Sequence, residues 1–259
     1  ILSYSKTDSS VSKRCSLKLN SFESEDGVMG IVGAGNFTKM TLLPNIIKSK
    51  PSIKYIASLG GVTGTVLAKK YGIAHSITDY KLMLKDDSVS LVIISTRHDT
   101  HAELIIQCLN SGKDVFVEKP LAIKPTELDR IIETYNARDQ VLTVGFNRRF
   151  SPHSVRMKNI IGDTQISVIA TMNAGSVPRD SWLQDMDIGG GRIIGEACHM
   201  IDLISFLTGS KVSSVCMQAL GEKPDNNTDN ATILLKYRNG SIGVINYFSN
   251  GSKSYSKER

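Results

Sequence analysis

Short apolar runs alternate with segments of helical periodicity from residue 27 to residue 147. Each run has the length of one strand, and each helical segment is long enough to cross back over a sheet. This alternation is typical of a parallel sheet built from successive strand–helix–strand units. The pattern predicts strands at 28–32, 53–58, 90–95, 114–117 and 141–145, and helices at 37–49, 62–71, 79–85, 102–110 and 126–137.

After residue 150 the pattern changes to strands that follow one another closely. Asn239-Gly240 lies between two of these strands, and this dipeptide is a strong signal for a tight hairpin. Strands joined by hairpins are antiparallel, so this part is predicted to be α+β with a mostly antiparallel sheet. The elements predicted here are strands at 165–173, 212–220, 230–237 and 241–249, and a helix at 196–207.

The change of pattern predicts two domains, one at 27–147 and one at 148–259. Residues 1–26 are rich in Ser and Lys, and we interpret them as a linker or as the end of a preceding domain. The chain begins with Ile rather than Met, which indicates a fragment or a processed product.

The composition is that of an ordinary soluble domain, with 41% hydrophobic and 22% charged residues. No apolar stretch approaches the length of a membrane span. The net charge is +6, but the basic residues are interleaved with acids, so we do not expect nucleic-acid binding. The four cysteines lack the spacing of a zinc site, and we therefore expect reduced thiols, no metal and a cytoplasmic location.

A glycine-rich turn joins the first predicted strand to the first predicted helix. Its sequence is Gly33-Ala34-Gly35-Asn36-Phe37-Thr38. The glycines allow a tight turn and the close approach of a pyrophosphate, and the helix start supplies free amides and a positive dipole end. We expect this turn to bind a dinucleotide, although a purely structural strand–helix turn could have the same sequence. The predicted contacts are Gly33, Gly35, Asn36 and Phe37.

The end of the second predicted strand has no acid to bind the adenosine ribose. Ser58 lies near the position where NAD enzymes place Asp or Glu, and no acid occurs between Asp26 and Asp79. An Arg that would favour the 2′-phosphate of NADP is also missing at this position. The sequence therefore leaves NAD and NADP open, with Ser58 as a candidate cofactor contact.

Three further motifs, together with the glycine-rich turn, resemble those of the Gfo/Idh/MocA oxidoreductases. They are Val117-Glu118-Lys119-Pro120, Gly145-Phe146-Asn147-Arg148-Arg149-Phe150 and Gly190-Gly191-Arg192-Ile193-Ile194-Gly195-Glu196-Ala197-Cys198-His199-Met200-Ile201-Asp202. Thr96 and His101, which follow the strand at 90–95, match the same pattern. The resemblance covers residues 27–250 and is greatest to members fused behind a zinc-type alcohol dehydrogenase-like domain. Residues 1–26 would then be the end of such a domain.

The resemblance implies a Rossmann domain followed by an α+β domain with an open, mostly antiparallel sheet. It implies hydride transfer between NAD or NADP and a hydroxyl-bearing carbon of a sugar, a sugar derivative or an inositol. It also implies a homo-oligomer formed through the sheet of the second domain. Because the family's second domain usually has further strands, we expect this one to be incomplete, with an open sheet edge for a partner to cover.

The resemblance assigns the chemistry to a few residues. Lys119 takes the position of the family's lysine and His199 that of its downstream histidine, and the peptide bond before Pro120 is often cis in the family. Many members have an acid four residues before the histidine, where this chain has Gly195, so Glu196 is taken as the acid. The other expected cofactor contacts are Thr96, His101, Glu118, Lys119 and Asn147, and the expected substrate contacts are Lys119, Arg148, Trp182 and His199.

These residue types suit the oxidation of an alcohol, which needs a base for the hydroxyl proton while the hydride leaves the carbon. Burial and the positive nicotinamide would both favour the neutral amine that Lys119 needs to act as this base. His199 would polarise or share the proton of the same oxygen, and Glu196 would fix the tautomer of His199. Each also has a structural interpretation, as a solvated lysine, a core histidine and a helix N-terminal acid.

Two functional classes are open. The first is an active dehydrogenase for a small sugar or polyol, and the second is a non-catalytic dinucleotide-binding sensor or subunit that keeps the fold. The first class is the leading hypothesis, and the displaced acid and the short second domain motivate the second. A short-chain dehydrogenase is disfavoured, because the chain contains no Tyr-x-x-x-Lys sequence.

Overall fold

The computed structural model describes residues 15–23, 27–224 and 228–258. These residues form two compact units. The first unit contains the described chain up to Thr96, Ile105–Phe116 and Ala137–Leu142, and the second contains Arg97–Leu104, Val117–Asn136 and the described chain from Thr143 onward. The predicted linker at 1–26 is described only in part, because residues 1–14 and 24–26 lie outside the described ranges.

Seven strands form the first sheet. They are β1 (Ser16–Lys18), β2 (Val28–Val32), β3 (Ile53–Ala57), β4 (His75–Ile77), β5 (Val89–Ile94), β6 (Asp114–Val117) and β7 (Leu142–Val144). Their spatial order is β1-β4-β3-β2-β5-β6-β7. The pairs β2–β3, β2–β5 and β3–β4 are parallel, as the alternating pattern predicted, whereas β1 is antiparallel to β4. The sequence pattern predicted neither β4 nor β1, and β1 lies within the segment interpreted as a linker.

Helices connect these strands. A helical run after β2 consists of a π-helical turn (Thr38–Leu42), α1 (Leu43–Ile46) and a 3₁₀ turn (Ile47–Ser49). It is followed along the chain by α2 (Val62–Tyr71), α3 (Lys81–Leu84), α4 (His101–Asn110) and α5 (Pro125–Asn136). Leu43 and Leu67 on the helices are buried in one cluster with Ile31 and Ile93 of the sheet. Burying each aliphatic side chain stabilises the fold by about 1.5–3 kcal/mol, so this packing fixes the end of β2.

The second sheet contains four strands. They are β8 (Ser167–Asn173), β9 (Val212–Ala219), β10 (Ala231–Tyr237) and β11 (Ile242–Phe248). The spatial order is β8-β11-β10-β9. The β10–β11 hairpin turns at Asn239-Gly240 as predicted and is antiparallel, β9–β10 is also antiparallel, and β8–β11 is parallel. The expected mostly antiparallel sheet is therefore confirmed.

The two faces of this second sheet have different surroundings. One face packs on α7 (Cys198–Thr208), where Ile204 is buried among Ile233, Ile245 and Tyr247. The opposite face presents an apolar row across all four strands, because neighbouring strands pair Ile169 with Val244, Val244 with Leu234, and Leu234 with Cys216. Ile169 and Leu234 in this row are 69% and 46% exposed, respectively.

The predicted architecture, a Rossmann-type α/β region followed by an α+β region, is confirmed. In addition to β1 and β4, the sequence pattern did not predict α6 (Pro152–Ile161), which begins after the cap residue Ser151. In the described part of the chain, no helix combines the length and the apolar character needed to cross a membrane.

Candidate functional site

The glycine-rich turn begins directly after β2 in the first unit. Gly33 has a φ of 110°, a conformation that favours glycine, and its amide donates to the carbonyl oxygen of Ala57 at 2.9 Å. A Cβ atom at Gly33 would lie 2.6 Å from the carbonyl oxygen of Ser95. Gly33 is therefore required by the protein's own packing, independently of any ligand.

Gly35 has different surroundings. A Cβ atom built on Gly35 meets no atom within 4 Å, and Gly35, Asn36 and Phe37 are all exposed. The first amides of a helix have no intrahelical acceptor, so those of Asn36 and Phe37 can donate to an anion. The open space at Gly35 and these amides fit a diphosphate.

Thr38 occupies the position where the glycine pattern has its third glycine. Its side chain is fully buried, and its hydroxyl donates to the carbonyl of Gly33 at 2.9 Å and lies 2.7 Å from the hydroxyl of Ser95. Thr38 therefore ties the turn to the end of β5 and leaves the space at Gly35 open.

Ser58 follows β3 directly, and Thr96 lies two residues after the end of β5. The hydroxyl of Ser58 accepts a hydrogen bond from the amide of Gly64 at 3.3 Å, so its own proton can still be donated to a ribose oxygen. Ser58 carries no charge and thus neither repels nor pairs with a 2′-phosphate.

Lys119 lies in the second unit, two residues after β6. The Lys119–Pro120 peptide bond is cis, as the resemblance implied. The Nζ of Lys119 donates to the carbonyl oxygen of Gly195 at 2.8 Å. Gly195 lies in a π-helical turn, Ile193–Ala197, and a Cβ atom there would approach Cε1 of His98 to 3.2 Å. Lys119 therefore has a backbone carbonyl as its partner at the position where an acid was expected.

His199 lies in the first turn of α7. Burial lowers the pKa of His199 to about 4, and the positive charges of Lys119 and Arg148 add to this effect. The imidazole is therefore neutral near pH 7. Among the described residues, Nδ1 of His199 is one of the few buried side-chain polar atoms without a hydrogen-bond partner, and Phe146 packs edge-on to the ring at 6.2 Å. A neutral imidazole with an unpartnered ring nitrogen is suited to bond a ligand hydroxyl.

Glu196 is held by other residues of the second unit. Its Oε2 accepts from Nη2 of Arg192 at 2.8 Å and from the hydroxyl of Tyr247 at 2.7 Å. Burial alone would raise the pKa of Glu196, but the hydrogen bonds from Tyr247 and Arg192 lower it overall. Arg192 also donates to the carbonyls of Gly175 and Ala174. Glu196 is thus an ionised acceptor that joins a loop, a helix start and β11.

Glu118 and Asn147 differ in their surroundings. Burial raises the pKa of the half-buried Glu118 carboxyl, whereas Asn147 is exposed at the start of a 3₁₀ turn, Asn147–Phe150.

The 3₁₀ turn at Asn147–Phe150 also contains two arginines with separate partners. Arg149 pairs with the buried Asp202 of α7, and Arg148 pairs with Glu258.

His98 is a buried residue that the sequence analysis missed. Its Nδ1 lies 2.8 Å from the carbonyl oxygen of Gly189, and its ring contacts Trp182 edge-on at 5.0 Å. The guanidinium of Arg97 lies 5.4 Å from the centre of the Trp182 ring. His101 is also buried, with Nδ1 2.7 Å from the carbonyl oxygen of Pro120. The spacing of two histidines at a helix start was the signal available in the sequence.

The second unit thus brings together Lys119, His199, Arg148 and Glu196 within electrostatic range, as the influences on the pKa of His199 demonstrate. Trp182 lies against His98 and Arg97. Within the described ranges, no group of three His, Cys, Asp or Glu side chains is arranged to hold a metal ion.

Comparison with known proteins gives two family matches. Residues 28–146 match the oxidoreductase family domain with an NAD-binding Rossmann fold, and residues 158–258 match the GFO/IDH/MocA C-terminal domain. Neither match includes residues 1–26.

Similar proteins include two named inositol dehydrogenases. The chain is 28% identical to the myo-inositol 2-dehydrogenase of Thermotoga maritima over 191 residues, covering 69% of this chain and 55% of that protein. It is 33% identical to the inositol 2-dehydrogenase of Salmonella agona over 195 residues, covering 72% and 56%. The chain therefore spans just over half the length of these relatives.

Solved structures show the same fold. A probable dehydrogenase from Thermotoga maritima superposes with a TM-score of 0.73 at 24% identity, covering 86% of this chain and 69% of that one. A levoglucosan dehydrogenase in complex with NADH gives a TM-score of 0.77 at 22% identity, covering 88% and 68%. With the two family domains in sequence order along most of its length, the chain belongs to the Gfo/Idh/MocA oxidoreductase family.

Proposed function

We propose that this protein is an NAD(P)-dependent dehydrogenase that acts on a hydroxyl-bearing carbon of a sugar, a sugar derivative or an inositol. The observation that carries the proposal is the Nζ of Lys119, held on the carbonyl of Gly195 within electrostatic range of a neutral His199. The named inositol and levoglucosan dehydrogenases among the similar proteins support this substrate class.

Lys119 is the base in this proposal. When bound, the nicotinamide supplies the hydride acceptor or donor. A carbonyl oxygen can only accept a hydrogen bond, so the Gly195 carbonyl takes an N–H of Lys119 and leaves the amine lone pair directed elsewhere. The hydroxyl proton of the substrate moves to that lone pair, and the carbonyl dipole stabilises the ammonium that forms.

His199 orients the reacting oxygen. Its low pKa keeps the ring neutral, so one ring nitrogen donates and the other accepts. The buried Nδ1 has no hydrogen-bond partner among the described residues, so in this proposal it bonds a substrate hydroxyl. In this proposal Glu196 acts on the substrate only through the Arg192 and Tyr247 contacts that position the start of α7.

The cofactor in this proposal is NAD or NADP. The turn from Gly33 to Phe37 binds the diphosphate, and Ser58 binds the adenosine ribose. Thr96, His101, Glu118 and Asn147 are proposed to contact the remainder of the dinucleotide.

The test is a turnover assay on the purified protein. A panel of inositols, hexoses and anhydrosugars is supplied with NAD and, separately, with NADP, and the reduced-nicotinamide absorbance is followed. Lys119→Met should lose at least about a hundredfold in kcat while retaining dinucleotide affinity. Lys124→Met is the matched control, because Lys124 pairs with Asp187 at the surface.

Two results would contradict the proposal. Full turnover by Lys119→Met would remove the base from the mechanism. Dinucleotide binding without turnover across the whole panel would favour the alternative, a non-catalytic sensor or subunit. The absence of an acid at Gly195 and the engagement of Glu196 by Arg192 and Tyr247 favour that alternative.

We further propose that the protein forms a homo-oligomer through the second sheet. The support is the apolar row Ile169–Val244–Leu234–Cys216 on the face opposite α7. Burying such a row removes exposed apolar surface from water.

A further inference from the structure

Ser252, Lys257 and Glu258 contact the last two residues of β8, Met172 and Asn173. The Nδ2 of Asn173 donates to the carbonyl of Ser252 at 2.8 Å, and the amide of Asn173 donates to the carbonyl of Lys257 at 2.7 Å. Met172 and Glu258 form an antiparallel bridge. The bridge at Met172 and the hydrogen bond between Asn173 and Lys257 hold the backbone of Glu258 at the edge of the sheet.

Glu258 forms an ion pair with the Nη1 of Arg148. Both side chains are partly buried, with 36% and 25% exposure for Glu258 and Arg148, so the pair is less screened than a surface pair. Both charges also act on His199, where Arg148 lowers its pKa and Glu258 raises it. The pair therefore lies within electrostatic range of the proposed catalytic histidine.

Two polar atoms of Arg148 and His199 have no hydrogen-bond partner among the residues that the structure describes. Within the described ranges, Nε of Arg148 and Nδ1 of His199 are both buried and without a hydrogen-bond partner. Nε is a single donor, and the carboxylate of Glu258 is an acceptor. A hydroxyl group can accept from the first and donate to the second.

The charge balance decides which ligands suit these groups. Lys119 and an unpaired Arg148 would together favour a carboxylate or a phosphate, which an arginine binds through two parallel hydrogen bonds. Glu258 neutralises Arg148, occupies Nη1 and presents a negative charge that repels a second anion.

We propose that Glu258 is a specificity-determining residue that restricts the substrate to neutral polyhydroxylated compounds and rejects those that carry a carboxylate or a phosphate. This inference rests on the proposed function, since it defines the substrate class of the same site. Glu258 acts by cancelling the charge of Arg148 and by accepting from a substrate hydroxyl.

The experiment uses glucose and glucuronate, which share a ring and differ in a hydroxymethyl or carboxylate group. For the wild type and Glu258→Gln, kcat/KM is measured with both sugars, and the binding of glucuronate is measured by calorimetry. Glutamine keeps the shape and can still accept from Arg148, so the tail should stay in place. Glu103→Gln is the matched control, because it removes the carboxylate of an exposed arginine pair with Arg130.

Glu258→Gln should shift the ratio of kcat/KM toward glucuronate by at least about tenfold and bind glucuronate at least about tenfold more tightly. Glu103→Gln should change neither quantity. An unchanged ratio in an active enzyme, or a wild type that already prefers glucuronate, would overturn the inference and leave the proposed function standing. If no sugar is turned over, the proposed function fails, and the calorimetric comparison alone decides whether Glu258 excludes anions.

Discussion

Replacing Gly35 with valine should weaken dinucleotide binding by about tenfold to a hundredfold without destabilising the fold. A side chain at Gly35 meets no protein atom within 4 Å, so it enters the space that a diphosphate would occupy. Two helix-start amides, those of Asn36 and Phe37, would then be blocked. A hydrogen bond to a charged group contributes about 1.5–3 kcal/mol, so losing one weakens affinity at least about tenfold and losing both on the order of a hundredfold.

The neighbouring Gly33 provides the contrast. Its φ of 110° and the 2.6 Å approach of a Cβ atom to the Ser95 carbonyl mean that alanine there strains the backbone. Such strain costs about 2 kcal/mol or more, which corresponds to a loss of about 4–8 °C in Tm. Gly33→Ala should therefore lose stability, whereas Gly35→Val should lose affinity alone.

The assay combines thermal unfolding with titration of NADH and NADPH followed by fluorescence. Met40→Val is the control, since Met40 is 73% exposed on the same helical run and should tolerate a branched side chain. Wild-type affinity in Gly35→Val would show that the turn does not bind the diphosphate. A Tm for Gly35→Val as low as that of Gly33→Ala would refute the argument from open space.

Three further predictions follow from buried charges and exposed apolar surface. Burial lowers the pKa of His98 from 6.5 to about 4, so its contribution to stability is complete above pH 6.5 and declines as the pH falls toward 4. Between about pH 7.5 and 5, the free energy of unfolding of the wild type should therefore fall by about 2 kcal/mol more than that of His98→Gln, as measured by urea unfolding. The same pH dependence in both proteins would contradict this. Arg192→Met should lose about 3 kcal/mol because the carboxylate of Glu196 loses its cation, and a loss below about 1 kcal/mol would contradict the buried pair. Leu234→Asp should yield monomers by analytical ultracentrifugation, and an oligomer of wild-type size would exclude the second-sheet interface.

The sequence predicts five of the seven strands of the first sheet, all except β1 and β4, because the chemistry of those five is local. Buried strands such as β5 are continuous apolar runs, and the polar segments between them mark the turns. The parallel pairing of β8 with β11 was not predictable in this way, because strands separated by some 70 residues pair through contacts that neither strand encodes alone.

The missed helix α6 has a similar explanation. Its apolar residues Val155, Met157 and Ile160 are all exposed, so no apolar stripe marks a buried face. The signals that were present, Ser151 as a cap and Pro152 in the first turn, are weaker than periodicity.

The sequence predicts which residues form the candidate site, but it predicts only some of the contacts between them. The charge of Lys119 lowers the pKa of His199, so the two side chains lie within electrostatic range of each other. Glu196 was placed beside His199 by counting helical spacing, whereas its hydrogen bonds go to Arg192 and to Tyr247, which is 51 residues away. The local spacing of a motif carries no information about hydrogen bonds to a strand that is distant in the sequence.

The π-helical turn at Ile193–Ala197 makes the length of this segment critical. Each residue of an α-helix advances the side-chain direction by about 100°, and a π-helical turn contains one residue more than an α-helical turn. Deleting one residue here would convert the turn to the tighter α-helical geometry and displace the carbonyl of Gly195, which accepts from Nζ of Lys119. The segment should thus accept substitutions more readily than it accepts any change in residue number.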